Sequence, residues 1–473
     1  VKLGRATILL LLSQTIFLAA GLAVNLGLAR LLGVIDYGRF GLVLSVLVIA
    51  ELFVITGIPE VVQKFGGERP AAMAQLVKKT LRWQALYTVL VFAAFELAAP
   101  GIARLLRDPG LTTLLRLAGL DLIVYGLYKY FLGVQNGLHR FAQYTWLGIT
   151  YSLVRVASIL VLVWLGFSVP GALIGNAVAS AAALLLALIF YRPPQEPAEP
   201  QPLRYGAWAA QNVLYFVGLN AFFAIDLWFV KYFLSAEEVG LYVSAAVLAK
   251  LSYFMSIAIS AVLLPSLSRA IALRDEKRAS ELAQDTLRYL LIFLTLANVI
   301  VALTAKELIA LFFGEAFIAA APVLRVLMAG LSGVTLMAVI NTIMIARNRM
   351  AACFAMVAAL VVVDVVLSLF LVPRLQLLGG AIATSLVGLL GAGFAFWHIR
   401  REAKPLLLSW SIPRTLGIAL GVYALAKSLE FISIGFILKA MLLAGVYFLL
   451  LWLSKEINAV DLRRLRESLG VSK

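Results

Sequence analysis

The sequence predicts an all-α polytopic membrane protein of about fourteen transmembrane helices, two six-helix lobes related as parallel repeats and two further helices after them. Three observations predict it. Hydrophobic residues make up 63% of the 473-residue chain and charged ones 14%, with a mean hydropathy of +0.99; soluble domains are roughly 45–50% apolar. The apolar residues gather in runs of about 20, the length that crosses a bilayer. A turn of the first half also returns in the second. Leu32 matches Leu234, Asp36 matches Glu238, Gly38 matches Gly240 and Phe40 matches Tyr242, each pair about 202 residues apart. Glycine alone would say little, since any tight turn favours it. Four residue classes recurring in register point to a repeated helix-turn-helix.

The first lobe is expected within residues 1–191, with spans near 6–29, 40–62, 83–102, 114–135, 144–165 and 170–190. The first run follows Lys2 and Arg5 as a signal peptide would. At about 24 residues it exceeds the h-region of such a peptide and is read as a retained helix. Residues 192–206 carry Pro193, Pro194, Pro197, Pro200 and Pro202 among polar neighbours. Such a segment stays extended and buries no core, so it reads as a semi-rigid cytoplasmic linker, either a mechanical joint or a docked connector. The second lobe, 207–398, holds spans near 207–230, 241–264, 287–305, 321–345, 351–372 and 379–396. Two additional helices near 415–429 and 432–453 fill 399–454, and 455–473 is a basic tail. There Arg463, Arg464 and Arg466 alternate with Leu462, Leu465 and Leu469, the pattern of an amphipathic helix at a membrane surface.

Charge placement sets orientation. Loops 64–82, 269–288 and 400–414, the tail and their equivalents hold about 26 of the 40 Lys and Arg residues, and the opposite loops about ten. Both termini are then cytoplasmic in an inner (cytoplasmic) membrane. The same distribution accounts for the net charge of +16 without nucleic acid as a partner. A lone Cys353 and two histidines, His139 and His398, leave no disulfide, metal cluster or cofactor motif to expect. Nucleotide-binding, hydrolase and metalloprotease motifs are missing from the sequence, and the outward loops run only about 5 to 17 residues, too short for a catalytic domain. No enzyme activity is expected.

The candidate functional residues are the charges that fall inside spans: Glu51, Asp121, Arg155, Asp226, Lys250 and Asp364, with Glu96, Lys129, Lys231 and Arg325 nearer the ends. Six central charges facing lipid would cost on the order of 15–20 kcal/mol, more than the stability of a typical protein. They must face the bundle interior, pair, or neutralise. Arg155 and Lys250, amid apolar neighbours, either present cations to an anionic substrate or close structural ion pairs with Asp121, Asp226 or Asp364. Lys129, Lys231 and Arg325 have a third option, to snorkel to the interface. Gln14, Asn25, Asn176, Asn220 and Asn341 serve either as interhelical bonds or as substrate contacts.

Several of these stretches resemble a known family. The turn Arg30-Leu31-Leu32-Gly33-Val34-Ile35-Asp36-Tyr37-Gly38-Arg39-Phe40 resembles the turn after the first helix of polysaccharide flippases of the multidrug/oligosaccharidyl-lipid/polysaccharide exporter superfamily. Its echo, Gly240 to Ala246 and on to Leu264-Pro265-Ser266-Leu267-Ser268-Arg269, is similar to that family's eighth helix. Leu311-Phe312-Phe313-Gly314-Glu315-Ala316-Phe317 resembles the loop before its tenth, and Gly379-Gly380-Ala381-Ile382-Ala383-Thr384 the start of its twelfth. The resemblance runs from about residue 6 to 396. It implies two lobes around a central cavity, alternating access, and as cargo an oligosaccharide on a polyprenyl pyrophosphate. Two extra C-terminal helices also occur in lipid II flippases, so that cargo stays open. The expected site is Arg30, Arg155, Lys231 and Lys250, with Asn25, holding the phosphates, and Asp226 or Asp364 binding a coupling cation. Membrane lipids and polysaccharide synthesis and polymerase proteins are the expected partners. The competing expectations are a cation-coupled multidrug antiporter, which wants a more acidic cavity, a membrane-embedded enzyme on lipid-linked sugars, and a scaffold that transports nothing.

Overall fold

A computed structural model describes residues 3–68, 73–192, 206–402, 411–428, 435–454 and 456, and all regular structure within them is helical. In chain order the helices are α1 (Leu3–Ile55), α2 (Ile58–Glu68), α3 (Met73–Leu105), α4 (Leu111–Gly137), α5 (Phe141–Leu162), α6 (Ser168–Phe190), α7 (Gly206–Phe233), α8 (Ala236–Ala272), α9 (Glu276–Phe313), α10 (Ala321–Ala346), α11 (Met350–Leu375), α12 (Leu377–Glu402), α13 (Ser411–Ser428) and α14 (Phe436–Leu453). The linker prolines and the basic tail with Arg463, Arg464 and Arg466 lie outside the described residues.

Ten helical stretches are long and apolar enough to cross a membrane, and two of these, Leu12–Ile55 and Phe141–Phe190, are of double length at 44 and 50 residues. Each contains two expected crossings joined with almost no loop. In a straight helix residues 25 and 37 would sit about 18 Å apart along the axis. Tyr37 nevertheless donates its hydroxyl to Asn25 Oδ1 at 2.9 Å. The axis therefore folds back between them, at Gly33, whose φ of 72° is the left-handed backbone that glycine adopts without a Cβ penalty. The same reasoning holds for α5 and α6, where Ser158 donates to the carbonyl of Gly175 at 2.7 Å across a π-helical turn, Val163–Phe167. The second span was expected to run to residue 62; the helix instead breaks at Thr56 and Gly57 and restarts as α2, with Pro59 in its first turn, where a missing N–H costs nothing. The helices α13 and α14, 18 residues each, reach about 27 Å, just under the hydrocarbon thickness.

Packing divides the chain into two units, Val1–Ser244 and Ala245–Lys473. In the first, α4 lies against α2, α3 and α6, and α5 pairs with α6 and α1. Its core is aromatic: Tyr125, Tyr128, Tyr130, Phe131 and Tyr151 pack on the small Ala179, Ala183 and Ala187 of α6. This unit also includes α7 and the start of α8, although the sequence boundary of the repeat falls at the linker. The reason is local. A Cβ on Gly38 would lie 2.6 Å from the backbone nitrogen of Gly240, and one on Gly240 would lie 2.8 Å from the carbonyl carbon of Val34. The two glycines matched from sequence thus touch one another, backbone to backbone. Trp228 adds an indole N–H to Ser45 Oγ at 3.0 Å. The turn before α8 is a capping box, in which Glu238 accepts from the Ser235 N–H at 2.9 Å while Ser235 Oγ accepts from the Glu238 N–H at 3.3 Å. Its counterpart Asp36 accepts instead from Ser168 Oγ at 2.9 Å, tying the α1 turn to the start of α6.

In the second unit α10 is the central helix and packs closely on α12 through small residues, Gly330 and Gly333 against Ser385 and Gly388. The pair α13 and α14 docks on α9. Ile292, Leu296, Val299 and Leu303 meet Ala419, Val422, Leu443 and Leu451, and the hydroxyls of Thr295 and Tyr447 lie 2.6 Å apart within that contact. Tyr447 also reaches the carbonyl of Ile292 at 3.1 Å. Below the contact, Arg414 pairs with the buried carboxylate of Glu456 at 3.5 Å and Arg288 donates to the Glu456 carbonyl at 3.3 Å. Tyr447→Phe should lower the stability of the purified protein by about 1 kcal/mol, read as earlier loss of the monodisperse peak on heating.

Candidate substrate-binding site

Helical periodicity assembles a polar face inside the first unit. On α4, Asp121, Tyr125, Tyr128 and Lys129 are spaced four, three and one residues apart, so they share one side of the helix. On α5, Tyr151 and Arg155 are likewise one turn apart, and on α6 so are Asn176 and Ser180. These faces meet. The three tyrosine rings form a cluster, with centroids of Tyr125 and Tyr151 5.6 Å apart and of Tyr128 and Tyr151 5.3 Å apart. Arg155 stands over the Tyr151 ring at 6.0 Å, and Lys129 over the Tyr125 ring at 5.3 Å, both within cation–π range. Glu51, from the second half of α1, interacts electrostatically with Asp121, Arg155 and Lys129, and Lys129 also with Glu60 of α2.

The carboxylates and cations are not locked together. Asp121, only 1% exposed, accepts from Asn176 Nδ2 at 2.6 Å, yet its other oxygen and Arg155 Nε have no hydrogen-bond partner among the described residues. The half-buried Arg155 makes no ion pair within 4.0 Å there either; it is compensated at longer range by Glu51 and Asp121. Buried polar atoms are normally satisfied. Open capacity on a guanidinium and a carboxylate, beside three aromatic rings, is what a site that takes up a polar guest requires.

The other expected residues have different neighbours. Arg30 is exposed just before Gly33. Asn25 spends both ends of its amide on the α1 hairpin, donating to the Gly21 carbonyl at 2.8 Å and accepting from Tyr37. Lys231, 8% exposed, pairs with Asp108 at 3.0 Å. Asp226 accepts from the Tyr242 hydroxyl at 2.6 Å and from the Leu227 N–H at 2.7 Å. In the second unit Lys250 is half-buried on α8, and Asp364 is fully buried on α11, one turn from the buried Ser368. The structure thus brings Arg155 together with Glu51, Asp121 and Lys129 and gives Asn25, Lys231 and Asp226 other partners. The tyrosines were missed from sequence, although the four-residue spacings from Tyr125 to Lys129 and from Tyr151 to Arg155 were there to find.

Comparison with known proteins adds the class. The fold matches the lipid II flippase MurJ in an inward closed conformation with a TM-score of 0.74, at 14% identity over 94% of this chain and 97% of that one. It matches an inward-facing multidrug resistance MATE family transporter of the MOP superfamily with a TM-score of 0.68, at 14% identity over 86% and 99%. A MOP superfamily transporter from Pyrococcus furiosus Vc1, described by the reverse polarity of its binding pocket, matches at 0.58 with 13% identity over 85% and 95%. No curated protein matches in sequence. The chain thus shares the multi-pass helical fold of these proteins, with ionisable and aromatic side chains turned into the interior of its first unit. The chain belongs to the polysaccharide biosynthesis protein family, whose model matches residues 27–322.

Proposed function

We propose that this protein flips a polyprenyl-pyrophosphate-linked oligosaccharide from the cytoplasmic to the outer leaflet by alternating access, for export of a cell-surface polysaccharide. The observation that carries the reading is the mixed cluster of Glu51, Asp121, Lys129, Arg155 and three tyrosines. Cations suit a pyrophosphate, with the planar fork of Arg155 matched to phosphate oxygens. Carboxylates accept from sugar hydroxyls, and aromatic faces cover their apolar sides. Arg30 and Lys231 in the first unit and Lys250 in the second are the further phosphate-binding cations on this reading, and Asp226 or Asp364 takes a coupling cation. The Lys and Arg distribution supports cytoplasmic termini in an inner membrane. Outward movement of negative charge from a negative interior then gains about 2.3 kcal/mol per charge per 100 mV. No bond is made or broken, so the protein is not an enzyme.

The test is reconstitution into liposomes with a labelled polyprenyl-pyrophosphate oligosaccharide, flipping being read as accessibility to an external glycosidase. Protein-dependent flipping that an inside-negative potential directed outward would accelerate supports the reading. A second reading, cation-coupled multidrug antiport, is favoured by one observation: Glu51, Glu60 and Asp121 outnumber Lys129 and Arg155 in the cluster. Proton- or sodium-driven uptake of a cationic dye, with no flipping of the pyrophosphate lipid, would establish it instead.

A further inference from the structure

At the far end of α7 two consecutive residues of one turn meet two consecutive residues of another. Asp108, in the α3–α4 turn, pairs with Lys231 at 3.0 Å, and its neighbour Arg107 donates to the Tyr232 hydroxyl at 2.9 Å with its guanidinium 4.0 Å above the Tyr232 ring. The two contacts are one residue apart both in the α3–α4 turn and at the end of α7, so Arg107 and Lys231 stand at the same crossing. Among the described residues the ion pairs at this crossing set Arg107 and Lys231 against one carboxylate, Asp108, with Arg107 resting on an aromatic face. Arg107 itself is held at φ 53°, where a side chain is disfavoured, at the position that closes α3: its own N–H bonds to Arg104 and that of Asp108 to Ala103.

We propose that Arg107 and Lys231 form an exit site for the anionic headgroup, masked in this conformation by Asp108 and Tyr232. The ligand class is a pyrophosphate ester on a lipid. Two or more negative charges outbid one carboxylate for the two cations, and the planar guanidinium leaves a ring for phosphate oxygens. Asp108 therefore stands in for the cargo. When the headgroup arrives it displaces Asp108 from Lys231 and Arg107 from Tyr232, and the α7–α8 turn is released from the α3–α4 turn. The proposal rests on the flippase reading for its ligand.

The test uses the full chain with Cys353→Ser and Val239→Cys. Val239 is 1% exposed beside the turn, so its thiol is labelled only when the turn is released. Asp108→Asn is expected to raise labelling on the order of a hundredfold without ligand, the scale of a buried cation left without its partner. A short-chain polyprenyl pyrophosphate is expected to raise wild-type labelling, and inorganic pyrophosphate to do so weakly. The double variant Arg107→Gln with Lys231→Gln, which removes both cations and leaves Asp108, is expected to abolish the response to pyrophosphate. A double variant that still responds as wild type, or unchanged labelling in Asp108→Asn, overturns the proposal. So does a wild type that binds the prenyl pyrophosphate without any change in labelling, which leaves the flippase reading intact. A wild type that does not bind it at all defeats that reading and this one together. If Asp108→Asn does not fold, Tyr232→Phe, which removes only the hydroxyl, is expected to raise labelling by a smaller factor, and no rise overturns the proposal.

Discussion

Gly240→Val destabilises this protein by about 3 kcal/mol or more, at the upper end of what overpacking costs, because its new atoms meet backbone rather than the end of a flexible side chain. The carbonyl of Val34 and the backbone of Gly240 already touch, so neither partner has a rotamer to change. The measurement is the fraction of monodisperse protein surviving heat, compared with Gly38→Ala, Gly240→Ala and the double variant. The two alanines should be markedly sub-additive: once one pushes the turns apart, the second finds room already made. Gly101, with nothing within 4 Å of a built Cβ, is the control. Gly101→Ala should be neutral or stabilise by about 0.5–1 kcal/mol through helix propensity.

The second large effect is at Arg155. On the proposed flippase function, Arg155→Gln should lower flipping about 10–100-fold, the loss of one charge-assisted contact to phosphate. It should also destabilise, by about 2 kcal/mol, because Glu51 and Asp121 are left without their cation in a half-buried setting. The double variant Arg155→Gln with Glu51→Gln separates the two roles. Stability should recover in part, since one of the two uncompensated acids is gone, while flipping stays low. Recovery of both would reduce Arg155 to a structural charge. Arg155→Lys should fall between, retaining charge but losing the planar fork and its stacking on Tyr151.

Much of this architecture was legible in the residues themselves. Runs of apolar sequence located the crossings, and the match of Gly38 with Gly240 found two turns that proved to be in contact. What the runs did not reveal was how the crossings are joined, because a single left-handed glycine at Gly33 reverses a helix without the polar loop that marks most turns. Hydropathy also fails to separate lipid from protein interior. Tyr125, Tyr128 and Tyr151 look the same in either, and Lys231, readable as a snorkelling lysine, turned out to be buried against Asp108. Charges in spans stand out in the sequence as costly; which of them face one another depends on helix rotation, which no single-chain pattern fixes.

The knot at Glu456 sets a boundary for anyone who shortens or extends this polypeptide. Its carboxylate and carbonyl are the clasp between α13 and α9, and they lie just past the last apolar residue of α14. A reporter spliced directly onto Leu453 would discard the clasp while keeping every crossing intact, and the final hairpin would then hang on Tyr447 and its apolar neighbours alone. Fusions should begin after residue 456.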